Sequence, residues 1–363
     1  MKILHLLSAG GIGGIEVLCR DISRLSRDDN EFCCLFKGGE IAEQMNDDGV
    51  PVYFLYKENK IKRLFYLLQI VRRNKYDAVV VHHEGFGIYL AYLLCMLFNR
   101  DIKFIKYLHC SFEPEYFYIN NWLKDRLNYV VLNLAVKKSH KLIAVSEFVK
   151  KSYVEEFRVP DDKVTVIYNG IRENKECCSQ NEEKSKKPIV ILYVGRLVQV
   201  KGVHVLIEAT KLLLDQGYEV ELEVLGDGPD RAEYEELTEK LEIKANVRFR
   251  GYRLDKDAFL DRAHIFCYPS VWQEAFGISV IEAMQKGLVC VASAVGGIPE
   301  IITDGQDGYL VEAGDKKKLA DVLKKIISDY QEDRVSAVQK AAIKRAKEFD
   351  VEKMINALSE IYR

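Results

Sequence analysis

Short β-branched or apolar runs alternate along the first half of the chain with longer stretches whose apolar positions recur at helical spacing. The short runs predict strands at Ile3–Leu7, Glu31–Phe36, Val52–Leu55, Ala78–His82, Phe104–Leu108, Leu142–Val145 and Val164–Ile167. The longer ones predict helices such as Glu16–Leu25, Ile61–Asn74 and Leu123–Lys138. Alternation of this kind implies a parallel sheet covered by helices on both faces.

From Ile171 to Pro188 the text becomes dense in charge and nearly free of large apolar residues, which predicts a linker over 171–188. The alternation then restarts, with strands expected at Ile189–Val194, Glu219–Leu225, Val247–Arg250, Ile265–Tyr268, Val289–Ser293 and Gly308–Val311. Helices are expected between them at Gly202–Gln216, Arg231–Leu241, Lys256–Arg262 and Ile278–Lys286. The remainder reads as helical throughout. The pattern predicts two doubly wound α/β domains, 1–170 and 189–345, and a C-terminal helix over 346–363; that helix is expected to pack back towards the first domain. In such sheets ligands lie beyond the carboxyl ends of the strands, so a tandem pair places a ligand in the cleft between domains.

Composition supports this division. At 363 residues, 48% of them hydrophobic, the chain exceeds the roughly 250–300 residues at which one core stops growing. A net charge of −2 offers no global basic field, which argues against nucleic acid as a partner. Nine cysteines, without a Cys-x-x-Cys spacing, read as free thiols in a reducing compartment. The longest apolar run, Phe86 to Phe98, is shorter than the roughly 18–20 residues that span a bilayer. The expectation is a soluble cytoplasmic protein.

Four stretches could carry chemistry. "LLSAGGIGGIEV" runs a strand into Gly10, Gly11, Gly13 and Gly14 and then a helix, a geometry that lets backbone approach an anion. Glu16 stands where the third glycine of a dinucleotide fingerprint belongs, so a nicotinamide cofactor is disfavoured and a turn without a ligand remains open. In "ILYVGRLVQVKGVHVLIEA", Arg196 and Lys201 flank a strand-to-helix loop and could converge on one diphosphate, or form a solvated charge pair. "QEAFGISVIEAMQKG" holds Glu274 and Glu282 about 80° out of phase at 100° per residue, so they do not share a helix face. Glu274 then belongs to the loop and Glu282 to the helix, whose first amides at Gly277, Ile278 and Ser279 form an anion site. The bland alternative has Glu274 complementing the helix dipole and Glu282 exposed. Asp255-Lys256-Asp257 could suggest a metal-bound diphosphate, but in a polar turn opening a helix it reads better as a cap.

Together the glycine turn, "VGRLVQVKG", "LGDGP", "FRGY", "YPSVWQEAFGISVIEAMQKG" and "AVGGIPEII" followed by "DGQDGYLV" resemble the retaining glycosyltransferases of family 4, which have the GT-B fold. The resemblance covers essentially the whole chain. It implies transfer of a hexose from a nucleoside-diphosphate sugar to a glycan or lipid-linked acceptor, in bacterial surface polysaccharide synthesis. A GT-B nucleotide-sugar 2-epimerase and a noncatalytic GT-B partner protein are the alternatives. By the same resemblance, Arg196 and Lys201 clamp the diphosphate, Glu282 binds the ribose and Glu274 faces the transferred sugar. Amides of Phe276, Gly277 and Ile278 meet sugar and phosphates, the base rests near Gly251, Tyr252 and Arg253, and Gly13 and Gly14 approach from the other domain. His109 stands beside the sugar, and no metal or cofactor is implied.

His82 and His83 are expected to line the acceptor side, without forming a metal site. Tyr116, Phe117, Tyr118 and Trp122 could stack an acceptor sugar or serve as core or lid. The stretch Tyr56 to Lys75 reads as a basic amphipathic helix, fit either to pack on the sheet or to touch the inner membrane leaflet.

Overall fold

The computed structural model describes residues 1–113, 121–173 and 188–363. The chain divides into two units, Met1–Gly170 with Val351–Arg363, and Ile171–Asp350. In the first, β1 (Lys2–Leu7), β2 (Asp29–Cys34), β3 (Val52–Phe54), β4 (Ala78–Val81), β5 (Lys103–Leu108), β6 (Lys141–Ala144) and β7 (Val164–Val166) form one parallel sheet in the order β3-β2-β1-β4-β5-β6-β7. In the second, β8 (Ile189–Val194), β9 (Val220–Leu225), β10 (Val247–Gly251), β11 (Ile265–Tyr268), β12 (Val289–Ser293) and β13 (Tyr309–Val311) follow the order β10-β9-β8-β11-β12-β13. Both are Rossmann-like. The order reverses between β1 and β4 in one sheet and between β8 and β11 in the other, and there the loops at the carboxyl ends diverge and leave a crevice.

Central strands read as continuous apolar runs because both faces are covered: Ile3, Leu4, Leu6 and Ala78 through Val81 are fully buried, as are Ile191, Leu192 and Ile265. The chain leaves β2 two residues before the expected end, because the amides of Leu35 and Phe36 bond to the carbonyls of Leu7 and Ser8 in the turn after β1. Helices at Glu40–Asp47, Phe86–Phe98 and Glu147–Phe157 complete the alternation.

The C-terminal stretch is not one helical run. Helices Lys316–Gln331 and Ser336–Ala346 are separated by a turn in which Asp333 adopts φ +55°, and a second break precedes Val351–Tyr362. The second unit thus reaches Asp350, five residues past the expected domain end. Its margin also takes in the first residues of the expected linker: Ile171 is buried, bridges to Asp350 and donates its amide to the Phe349 carbonyl. The rest of the expected linker, 174–187, lies outside the described residues. Helix Val351–Tyr362 joins the first unit, where Met354 Sδ accepts the Gly170 amide and Asp28 accepts the Ser359 hydroxyl.

Candidate active site

At the reversal in the second sheet, the loops after β8 and β11 lie against each other. The Val271 amide bonds to the Val200 carbonyl, and a Cβ on Gly202 (φ +68°) would stand 1.9 Å from the Pro269 oxygen. Only glycine permits that approach. The glycines of "LGDGP" serve packing too: a Cβ on Gly228 would meet the Leu197 oxygen at 2.1 Å.

Within these loops Lys201 and Glu274 form a bidentate ion pair, Nζ lying 2.7 and 2.8 Å from the two carboxylate oxygens. Lys201 also donates to the Tyr268 hydroxyl at 3.3 Å. Ser270, buried, directs its hydroxyl at Glu274 Oε1 at 2.6 Å. The Glu274 side chain is 12% exposed, so the lysine offsets most of the cost of desolvating the carboxylate. From below, the Gly297 amide bonds to the Glu274 carbonyl at 2.7 Å, and a Cβ on Gly296 (φ +55°) would lie 2.0 Å from that oxygen. Separate duties were expected of Lys201 and Glu274, and the structure joins them. Arg196, expected to pair with Lys201, is exposed at the end of β8.

Helix Ile278–Gln285 begins where expected, with Gly277 at its N-cap and its own bonding starting at Val280 N–H to Gly277 O. Its opening amides, Ile278 and Ser279 among them, face away from the helix's bonding pattern, the arrangement that receives an anion. Phe276, buried, packs edge-on against Phe349 at 5.7 Å. Glu282 is half-buried and pairs with Lys256 at 2.5 Å. Tyr252 is exposed, and Arg253 holds Asp255 through two bonds of 2.7 and 2.8 Å. That pairing corrects the capping expectation: Asp255 occupies the N-cap position of helix Lys256–Arg262 without a side-chain cap bond. Among the described residues no cluster of three or more metal-ligating side chains occurs.

In the first unit, Gly13 is the N-cap of helix Gly14–Leu25, and the buried Glu16 folds back on it, so that a Cβ on Gly13 would lie 2.5 Å from a Glu16 oxygen. His83 Nδ1 accepts the Ser8 amide at 3.2 Å, which leaves its Nε2–H for Glu16 at 3.3 Å. His82 is fully buried and lines no surface, contrary to expectation. It bonds on one side to His109 at 3.1 Å and on the other to His5 at 2.9 Å. Tyr116, Phe117 and Tyr118 lie outside the described residues, and Trp122 is exposed.

Residues 12–175 match the model of Glycosyltransferase Family 4, and residues 174–347 that of Glycosyl transferases group 1. The chain belongs to the family 4 glycosyltransferases. An uncharacterized glycosyltransferase of Methanocaldococcus jannaschii is 27% identical over 88% of this chain and 86% of its own. N-acetyl-alpha-D-glucosaminyl L-malate synthase of Bacillus anthracis is 26% identical over 82% and 77%. Among solved structures, Anabaena Alr3699/HepE in complex with UDP-glucose superposes with a TM-score of 0.85 at 23% identity, covering 99% of each chain. The likeness establishes the GT-B fold.

Two features of this glycosyltransferase escaped the sequence reading. Ser270 lies inside the stretch that carries the resemblance, but its part becomes visible only once the loop after β11 is seen to bring its hydroxyl onto Glu274. His5 stands inside β1, and its signal is parity: His5, His82 and His109 fall on one face of adjacent strands.

Proposed function

We propose that this glycosyltransferase moves a hexose from a nucleoside-diphosphate sugar to a glycan or lipid-linked acceptor, with retention of anomeric configuration, in surface polysaccharide synthesis. The observation that carries this reading is the Glu274 carboxylate, held by Lys201 and Ser270 in the loop that opens helix Ile278–Gln285. Oε1 takes bonds from both partners, so Oε2 keeps capacity to accept a sugar hydroxyl. Arg196, Lys201 and the amides of Phe276, Gly277 and Ile278 supply positive groups where charge grows on the departing diphosphate, so the reaction proposed uses no metal. The bond from the anomeric carbon to phosphate breaks as the acceptor oxygen bonds on the same face, and the leaving phosphate takes the acceptor's proton. Glu282 grips the ribose and Tyr252 and Arg253 flank the base. His109 and the Gly13–Gly14 turn serve the sugar side.

UDP-sugars are the first donors to test, because the Anabaena neighbour was solved with UDP and with UDP-glucose. Thermal shift against UDP-, GDP- and ADP-sugars should show stabilisation by one base class, since a ligand bound only to the native state raises apparent stability. Stabilisation by none would remove the donor from the proposal. Conversion of a nucleotide-sugar to its C2 epimer without acceptor would replace transfer with epimerisation.

The N-terminal unit also suits an anionic bilayer surface. Helix Lys60–Arg73 fully buries only Leu67 and Val71 and exposes Ile61 and Phe65 beside Lys60, Lys62, Arg72 and Arg73. Helix Trp122–Lys138 exposes Leu123, Leu127, Val130 and Leu134 at helical spacing, with Lys124, Arg126, Lys137 and Lys138. Helix Phe86–Phe98 packs between them and exposes Leu90 and Leu97. Basic rims around apolar stripes give insertion and attraction together. No helix among the described residues is long and apolar enough to cross a membrane. Salt-sensitive flotation with phosphatidylserine vesicles, lost in Ile61→Asp/Phe65→Asp, is the expected result; equal behaviour with phosphatidylcholine vesicles would remove the charge argument.

A further inference from the structure

Three histidines and an asparagine of the N-terminal unit form a hydrogen-bonded line that glycosyl transfer by Glu274 and Lys201 does not explain. His5 of β1 pairs in register with Val80, two residues before His82, and Val81 pairs with Lys106, which puts His82 beside Tyr107 and His109 on the same face. The rings are held flat by stacking: His5 on Phe32 at 4.7 Å, and His109 on Tyr107 at 4.3 Å.

The line has a direction, and Asn30 sets it. Asn30 Nδ2 donates to the Asp28 carbonyl at 2.8 Å, so the amide atom facing His5 is the oxygen, 2.9 Å from Nε2. An oxygen only accepts, so His5 Nε2 carries the proton. A neutral imidazole has one N–H, which makes His5 Nδ1 an acceptor, and its partner at 2.9 Å, His82 Nε2, must donate. His82 Nδ1 is then an acceptor as well, met at 3.1 Å by His109 Nε2–H. His109 Nδ1 is left with its lone pair. Neutrality is supported by burial, which pulls His5 down to about 4 and His109 down to about 3 and holds His82 well below the ordinary imidazole range.

We propose that Asn30, His5 and His82 are positioning residues that lock His109 in its Nε2–H tautomer, so that Nδ1, beyond the carboxyl end of β5, accepts a hydrogen bond from a ligand hydroxyl. That the hydroxyl belongs to the transferred sugar rests on the function proposed above; the tautomer does not.

The test is nitrogen-15 long-range correlation NMR on the full, ligand-free chain at pH 7, with the seven histidines assigned by single substitutions. His5, His82 and His109 should all show a protonated Nε2 and an unprotonated Nδ1. His82→Phe keeps an aromatic ring but cuts the line, and Asn30→Leu removes the terminal acceptor. Each should release His109 into a mixture of tautomers. Nδ1–H on His109 in the unaltered protein overturns the proposal, as does a pure Nε2–H form surviving in both variants. If neither variant folds, the spectrum of the unaltered chain decides alone. In donor kinetics, Asn30→Leu should raise KM about fivefold with a smaller change in kcat. Unchanged KM alongside released tautomers would leave the lock standing and remove the sugar as its ligand.

Discussion

The two sheets share one strand order apart from the extra β7 of the first, yet the residues standing where that order reverses carry different chemistry. In the C-terminal unit the reversal is ionic, with Lys201 on Glu274 and, on the following helix, Lys256 on Glu282. In the N-terminal unit it carries a line of neutral imidazoles running from Asn30 to His109, with Glu16 against the glycine turn and Glu84 paired to the buried Lys106 at 2.8 Å. A carboxylate there opposes an anion, whereas a helix opening beside a lysine favours one. Topology provides the crevice, and side chains decide what it holds. If this contrast is right, charge changes should act on turnover in one unit, and proton changes should act on stability in the other.

The largest effect is expected at the ionic end. Lys201→Ala leaves Glu274 with Ser270 as its side-chain donor and should lower kcat/KM about 10³-fold, about 4 kcal/mol of transition-state stabilisation. Because the two residues act as a unit, Lys201→Ala/Glu274→Gln should be little worse than either single variant. Steady-state kinetics with thermal melts decides it. A loss under tenfold, or strictly additive losses, would break the pair apart.

The neutral end predicts acid sensitivity. His5, His82 and His109 are uncharged in the folded protein, burial placing His5 at about 4, His109 at about 3 and His82 well below its ordinary value of 6.5. Unfolded, each takes a proton near pH 6.5, so below that pH the unfolded chain binds more protons and stability falls as pH falls. Between pH 6.5 and 5 the loss is about 2 kcal/mol per histidine. Glu31 and Asp28 work in a separate window: burial raises them, but hydrogen bonds from Lys2 and from the N-terminus leave both below the ordinary carboxylate range, so their contribution is lost only under about pH 4.5. Urea denaturation at pH 7, 6 and 5 should show the decline, and His82→Phe should flatten it by about a third. A pH-independent midpoint would mean that the histidines are not neutral in the native state.

Much of this was legible in the sequence, and what was not has a common cause. Strand and helix identities followed from periodicity, and β4, β8 and β11 lie within one residue of their expected ends, because a strand buried on both faces writes itself as an apolar run. The return of the C-terminal helix to the first unit was expected, but with a start at 346 rather than Val351: the residues around Asp350 continue a helical pattern, and the break is fixed by a bridge to Ile171, far away in sequence. Glu274 and Lys201 were each singled out, but their contact spans 73 residues and no spacing rule joins them. His82 was misassigned for a related reason. A histidine at a strand end reads as surface until its neighbours across the sheet are known, and His5 and Tyr107 enclose it.

The smallest effect refines the ionic side of the comparison. Glu282 is half-buried and meets Lys256, whose side chain is 38% exposed, so the pair alone is worth little to stability. Its proposed role on the ribose is a binding role present in ground and transition states alike, and uniform binding of that kind appears in KM. Glu282→Gln keeps the shape and one acceptor oxygen but removes the charge-assisted bond to a diol. Donor KM should rise about tenfold, about 1.4 kcal/mol, with kcat within twofold and the melting temperature nearly unchanged. Lys256→Met separates the two uses of the carboxylate: if Glu282 serves the ribose, freeing it from Lys256 should leave KM unchanged or lower it. An equal rise in KM in both variants would make the ion pair itself the functional element, and would place the ribose elsewhere.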